Sequence, residues 1–142
     1  MDLEEVSARL EIEALLYRYA RGVDTKDWDL YRSVFTPSAT IDYSSAGFAS
    51  GPRDEVAAQL EAGFVAMPWS QHYITNIEIE LDGDRAKVRA MFFNPMQIAG
   101  MSEQSSCGGY YHHDLVRTDQ GWKSERLVEE NLWFLNHPAG HQ

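Results

Sequence analysis

Apolar residues recur at spacings of three and four through the first part of the chain. Val6, Ile12, Leu15, Leu16, Tyr19 and Val23 fall on one helical face, which predicts an amphipathic helix over roughly residues 3 to 23. Gly22 stands near its end, where glycine is common. Trp28, Leu30, Tyr31, Val34 and Phe35 predict a second, short helix, with Asp27 as its N-cap and Pro37 as its stop. ATIDY, residues 39–43, reads as a strand, and a short second strand is expected around Gly47–Ala49. Gly51 and Pro52 open a third helix, PRDEVAAQLEAGFVAM, which ends before Pro68. Proline in the first turn with acids behind it suits a helix start.

From Gln71 onward the pattern changes towards alternation. HYITNIEIEL, DGD and RAKVRAMFFNPMQI predict a hairpin with Asp82-Gly83 in its turn. A polar loop follows over Gly100 to Ser106. CGGYYHHDLVRT and GWKSERLVEENLWFL then give two further long strands around Asp119–Gly121. NHPAGHQ, residues 136–142, reads as a loose tail. No repeat or linker interrupts the pattern, so residues 1–142 are expected to form one domain. Helices first and then a meander of long strands define an α+β fold. The expected form is a cone-shaped barrel, with about three N-terminal helices on a strongly curved, mainly antiparallel sheet. A cone has an interior, and its mouth suits a small-molecule pocket. Gly108-Gly109 inside a strand predicts a bend or bulge where the sheet curls. A phosphate loop is disfavoured there, because no helix with Lys-Ser/Thr follows.

Met91, Phe92, Phe93, Met96 and Ile98 are apolar at both odd and even positions, and Trp133, Phe134 and Leu135 repeat the signature. A strand apolar on both faces needs cover on both. A homodimer or homotrimer through the outer sheet face is therefore expected.

Composition narrows the partners. The chain has 142 residues, 44% of them hydrophobic, enough for a core, and a formal charge of −10. Nucleic acid is disfavoured, since phosphate binding needs clustered Lys and Arg. The one cysteine, Cys107, has no disulfide partner and belongs to no zinc spacing. Nothing in the sequence suggests a lowered thiol pKa, so it is a poor nucleophile candidate. MDLEEVSARLEIEALL lacks the basic and apolar regions of a secretory leader. No apolar run nears the ~18 residues of a membrane span. A soluble, cytoplasmic protein without membrane contact is expected.

One residue is unexplained by this pattern. Asp24 falls at the C-terminal end of the first helix, where a negative charge faces the negative end of the helix dipole. Asp27 is the better cap for the next helix, which leaves Asp24 with no structural duty beyond an ordinary loop role.

The stretches YARGVDTKDWDLYRSVFTPSATIDY, HYITNIEIELDGDRAKVRA and YYHHDLVRTDQGWKSERL, in that order, resemble the nuclear transport factor 2-like superfamily and its SnoaL-like family. The resemblance covers nearly the whole chain. It implies a cone of three helices on a bent sheet, usually oligomeric, with functions that range from cyclases, isomerases and dehydratases to pure binding domains. Within it, the chain is similar to the Asp/His dehydratase group: bile acid 7α-dehydratase, scytalone dehydratase and hexachlorocyclohexane dehydrochlorinase. That group has an Asp near the end of the first helix and a His at the start of a sheet strand, which fall here on Asp24 and His72. The bile acid enzyme has a Tyr that falls on Tyr19. Its last-strand Arg falls on Asn131, a departure that argues against the same substrate.

The resemblance implies a cofactor-independent lyase, a dehydratase of a small, largely apolar cyclic or aromatic hydroxylated molecule; a retro-aldol cleavage or double-bond isomerisation would use similar groups. His72 serves as general base, Asp24 orients it, and Tyr19 assists a carbonyl or leaving group. Strict alternation puts His72 on one face with Ile74, Asn76, Glu78 and Glu80, unless a bulge near Thr75 alters the register. Tyr43, Tyr110, His112 and Asn131 are the substrate-contact candidates. Tyr110 and His112 share one strand face, Tyr111 and His113 the other, and only one pair can face inward. No metal is implied, because adjacent strand residues such as His112 and His113 point to opposite faces. No cofactor is expected. Two other readings stand beside this one: a non-catalytic ligand-binding or oligomerisation domain, and a polyketide cyclase or ketosteroid isomerase-like enzyme with an acidic base.

Overall fold

The computed structural model describes residues 1–139. Three helices, α1 (Leu3–Asp24), α2 (Trp28–Ser33) and α3 (Arg53–Phe64), accompany seven strands. The strands are β1 (Phe35–Asp42), β2 (Ser50–Pro52), β3 (Trp69–Ser70), β4 (Tyr73–Asp82), β5 (Arg85–Gln97), β6 (Ser105–Thr118) and β7 (Gly121–Leu135). They form one sheet in the order β2-β1-β7-β6-β5-β3, with β4 also paired to β5. Among the described residues, the β1–β7 pair is parallel and the other pairs are antiparallel. The sheet curves strongly into a half-barrel under the helices, which is the expected cone-shaped α+β fold. The tail expected over 136–142 lies outside the described residues from 140 onward.

Helix α1 starts where Asp2 accepts a hydrogen bond from the Glu5 amide at 2.8 Å. Its buried stripe is Ala8, Ile12, Leu15, Leu16, Tyr19 and Val23, while Val6 is exposed. Gly22 is not a terminator. A Cβ there would lie 2.8 Å from the Tyr31 amide nitrogen, so the glycine lets α2 cross close against α1. Asp27 caps α2 through the Leu30 amide at 3.0 Å. The helix stops at Ser33, earlier than its apolar pattern suggests, because the Val34 carbonyl already accepts from Ser124 of β7 and Phe35 opens β1. Pro37 sits inside β1 where the pairing with β7 is interrupted between Phe35 and Thr40, a place that needs no amide donor. The short second strand comes at Ser50–Pro52, after a 3-10 turn at Ser44–Ala46, rather than at Gly47–Ala49.

The β4–β5 register shifts between Thr75 and Glu78, with Asn76 at φ 48°. This bulge moves Ile74 into phase with Ile77, Ile79 and Leu81, and those four pack against the core. Strict alternation, which grouped Ile74 with Glu78 and Glu80, fails at that point.

Strands β6 and β7 shift register between Gly108 and Gly109, leaving Leu132 unpaired. A Cβ on Gly109 would lie 2.0 Å from the Glu130 carbonyl oxygen and 2.9 Å from the Leu132 amide. Both are backbone atoms and cannot swing aside. Gly109→Ala is therefore expected to destabilise the protein by about 1–3 kcal/mol or more, read as a lowered urea midpoint.

Candidate active site

The end of α1 and the β3–β4 junction are tied together by Asp24. Its Oδ2 accepts the His72 backbone N–H at 2.7 Å, and its Oδ1 accepts Ser70 Oγ at 3.0 Å. The same Oδ1 lies 2.6 Å from His72 Nδ1. Three donors converge on one carboxylate, which explains an acid at the electrostatically wrong end of a helix. A carboxylate only accepts, so Nδ1 carries the hydrogen and Nε2 keeps its lone pair. The segment holding His72 is clamped from β5. Asn94 Nδ2 donates to the Gln71 carbonyl at 3.0 Å, and the Gln71 amide donates to the Pro95 carbonyl at 3.0 Å. The His72 side chain is 7% exposed.

His72 lines a cavity of about 320 Å³ inside the cone. The walls are mostly apolar, with Val23, Phe48, Leu60, Phe64, Met96 and Phe134 among them. Two of the predicted tyrosines reach it. Tyr19 and Tyr43 both line the cavity, and their hydroxyls are 2.7 Å apart. Tyr31 Oη is 2.7 Å from Tyr43 Oη on the other side. Burial pushes all three phenols well above their ordinary pKa, so they are neutral donors. The Tyr19 ring stands edge-on to the imidazole, centroids 6.4 Å apart. Tyr19 and Asp24, which sequence spacing did not place together, thus serve one chamber from one helix.

Tyr110 and His112 do not reach the cavity. Alternation along β6 turns Tyr111 and His113 inward, in phase with buried Leu115. Tyr110 lies on the outer face beneath the Arg89 guanidinium, 4.0 Å from its ring centre, and His112 Nε2 is 2.8 Å from Glu130 Oε1. The missed signal was in the neighbours. Charged Lys87 and Arg89 of β5 pair opposite Asp114 and His112, marking that face as the wet one. Asn131 pairs with Gly109 and is not among the cavity-lining residues. Its backbone amide donates to Ser45 Oγ at 2.8 Å, and its Nδ2 is buried without a partner among the described residues.

Sequence reasoning missed polar lining residues, among them Asn94, Tyr111 as the inward member of its pair, Glu129 and His137. Glu129 is 7% exposed and pairs across from Tyr111. Burial, with the Asp42 charge adding to it, pushes its carboxyl up to about 7. Alternation from Asn131 would have found it two residues back, but the Glu129-Glu130 pair reads as an ordinary solvated edge. Cys107 also lines the cavity, and burial pushes its thiol up to about 12, far from a thiolate at neutral pH. Among the described residues, no group of three or more His, Cys, Asp or Glu side chains is arranged to hold a metal ion.

A helix-capped half-barrel with an Asp–His pair on the wall of an apolar chamber defines a class of cone-shaped small-molecule proteins. The chain belongs to the SnoaL-like domain family, whose model matches residues 4–128. It is 38% identical over 130 residues to the uncharacterised protein Rv2910c of Mycobacterium tuberculosis, covering 91% of this chain and 88% of that one. Among solved structures it is similar to the Kfla4162 protein of Kribbella flavida, at 29% identity and a TM-score of 0.85, covering 93% of this chain and 95% of that one. It also shares its fold with a provisionally assigned scytalone dehydratase of Novosphingobium aromaticivorans, at 20% identity and a TM-score of 0.83, covering 95% and 89%. The same holds for the type 3 hexachlorocyclohexane dehydrochlorinase of Novosphingobium barchaimii, at 20% identity and a TM-score of 0.83, covering 100% and 98%. No described helix is long and apolar enough to cross a membrane.

Proposed function

We propose that the protein is a cofactor-independent lyase that removes water from a small, largely apolar cyclic or aromatic hydroxylated compound. The observation that carries this reading is the 2.6 Å contact between Asp24 and His72 on the wall of the apolar cavity. His72 Nε2 takes a proton from a carbon next to an activating group. Asp24 fixes the tautomer and stabilises the imidazolium that forms. Tyr19, whose hydroxyl is backed by the chained hydroxyls of Tyr43 and Tyr31, supplies the one hydrogen left over from that chain to the activating carbonyl, in an apolar site where such a bond counts for more than in water. The apolar walls favour ring substrates over charged ones. Neighbours described as a dehydratase and a dehydrochlorinase support the chemistry by analogy. The test is a panel of β-hydroxy cyclic ketones followed by enone absorbance. Turnover of at least one member, lost in His72→Ala, is the expected result; an inactive parent, or an undiminished variant, overturns it.

The outer sheet face fits the expected homo-oligomer. Tyr73, Phe93 and Trp133 form a ladder of rings on that face, with neighbouring centroids 5.8 and 6.0 Å apart, and Phe93 is 45% exposed. Aromatic side chains left uncovered in a row mark an interface. Phe93→Lys is expected to weaken self-association about 10²-fold, shifting the protein towards monomer in sedimentation, with its circular dichroism unchanged.

A further inference from the structure

Glu129 is a buried acid that the Asp24–His72 pair leaves without a role. Its side chain lines the cavity together with His72, Tyr19 and Tyr43. Among the described residues its Oε1 is buried with no hydrogen-bond partner. The strand holds it firmly: the Glu129 carbonyl accepts Ser45 Oγ at 2.6 Å, and the same hydroxyl accepts the Asn131 amide. A satisfied structural carboxylate would be paired or hydrogen-bonded, whereas this one is held in place and left unpaired. A carboxyl in such surroundings holds its proton up to about pH 7, and a protonated carboxyl has a proton to give.

We propose that Glu129 is the general acid of the elimination, protonating the hydroxyl that departs while His72 removes the carbon-bound proton. This rests on the lyase reading. The C–H electron pair becomes the new C=C bond as His72 Nε2 takes the proton. The C–O bond breaks with its electrons on oxygen, which receives the Glu129 proton and leaves as water. The protein is left with an imidazolium and a carboxylate, one proton having moved from Glu129 to His72, and its return through the vacated cavity resets the site. The titratable groups around Glu129 allow this. Tyr19, Tyr43, Tyr111 and Cys107 are all held neutral by burial, so among the described residues the charge that burdens it is Asp42 on its flank. His72 and His137 complete the titratable lining.

The test uses paired substrates, a β-hydroxy cyclic ketone and its β-acetoxy counterpart. Acetate leaves without needing a proton, so only the hydroxyl substrate depends on the acid. Glu129→Gln is neutral and of the same shape, and a thermal melt checks that it folds. The expected result is a hydroxy-to-acetoxy rate ratio about 10²–10⁴ lower than the parent's, partly restored in Glu129→Asp. His72→Ala should instead lose both substrates together. Difference infrared spectra of parent against Glu129→Gln should show a protonated carboxyl band below neutral pH. An unchanged ratio, or an ionised carboxyl throughout, overturns the acid role while leaving His72 as base. A parent inactive on both substrates, or an undiminished His72→Ala, instead removes the lyase reading and this proposal with it.

Discussion

Asp24→Asn is expected to lower kcat/KM for the dehydrated substrate by about 10²–10⁴, close to the loss in His72→Ala, although the change is one of a single atom. The reason is the count of donors. Asp24 receives the His72 backbone amide on one oxygen and both His72 Nδ1–H and Ser70 Oγ–H on the other. An asparagine accepts on one side only. If its oxygen keeps the backbone amide, its NH₂ faces Nδ1 and forces the hydrogen onto Nε2, where no lone pair then remains for the substrate. If it turns round, two N–H groups confront each other at the His72 amide. Either arrangement removes the base or shifts the segment that carries it. Steady-state rates across pH, with circular dichroism to show that the fold survives, check this. An Asn variant within threefold of the parent would mean that Asp24 merely ties α1 to the sheet. Ser70→Ala makes the comparison sharper, since it removes one donor but leaves the tautomer intact, and only a several-fold loss is expected.

How much of this was legible beforehand depends on what each element carries in its own sequence. The helices and the long strands were readable because burial on one face imposes a period, and their order alone gave the cone. The oddity of Asp24 was also readable, since a helix dipole has a sign and Asp27 already filled the capping role. That His72 would be its partner came through resemblance, because the residues lie 48 apart and no local rule joins them. The errors cluster at bulges and at faces. Asn76 at positive φ resets the phase of β4, and the extra residue Leu132 resets β7, so counting by twos across them fails. The choice between Tyr110 with His112 and Tyr111 with His113 needed the neighbouring strands, whose charges declare the outer face. Glu129 was hidden for a different reason. Burying a carboxylate without a partner runs against the ordinary rule, and a reading that follows ordinary rules places such a residue in water.

Two buried titratable groups on the inner sheet face should make stability depend on pH in opposite directions. His113 Nδ1 bonds Ser124 Oγ at 2.8 Å, while its Nε2 is buried with no partner among the described residues. Burial, with the His112 charge adding to it, pulls its pKa from 6.5 down to about 3. Between those values the unfolded chain binds a proton that the folded protein refuses. Its contribution is therefore complete above about pH 6.5 and is lost progressively as pH falls towards 3, on the order of 5 kcal/mol in total. Glu129 runs the other way. Its carboxyl moves from 4.5 up to about 7, so its contribution is complete below 4.5 and is lost as pH rises through 7, on the order of 3 kcal/mol. Over the shared window, from about pH 4.5 to 6.5, the two slopes cancel and the parent should be nearly flat in urea unfolding. Glu129→Gln should uncover the His113 slope, with stability rising steadily up to about pH 6.5 and then holding level. His113→Phe should uncover the Glu129 slope, falling steadily towards pH 7; Ser124 Oγ keeps its bond to the Arg126 carbonyl at 3.1 Å in that variant. Opposite slopes in two single variants of a flat parent would be hard to produce by surface charge. Parallel profiles in all three proteins would mean that neither group is held away from its ordinary ionisation, and the neutral acid on which Glu129's proton transfer depends would not exist.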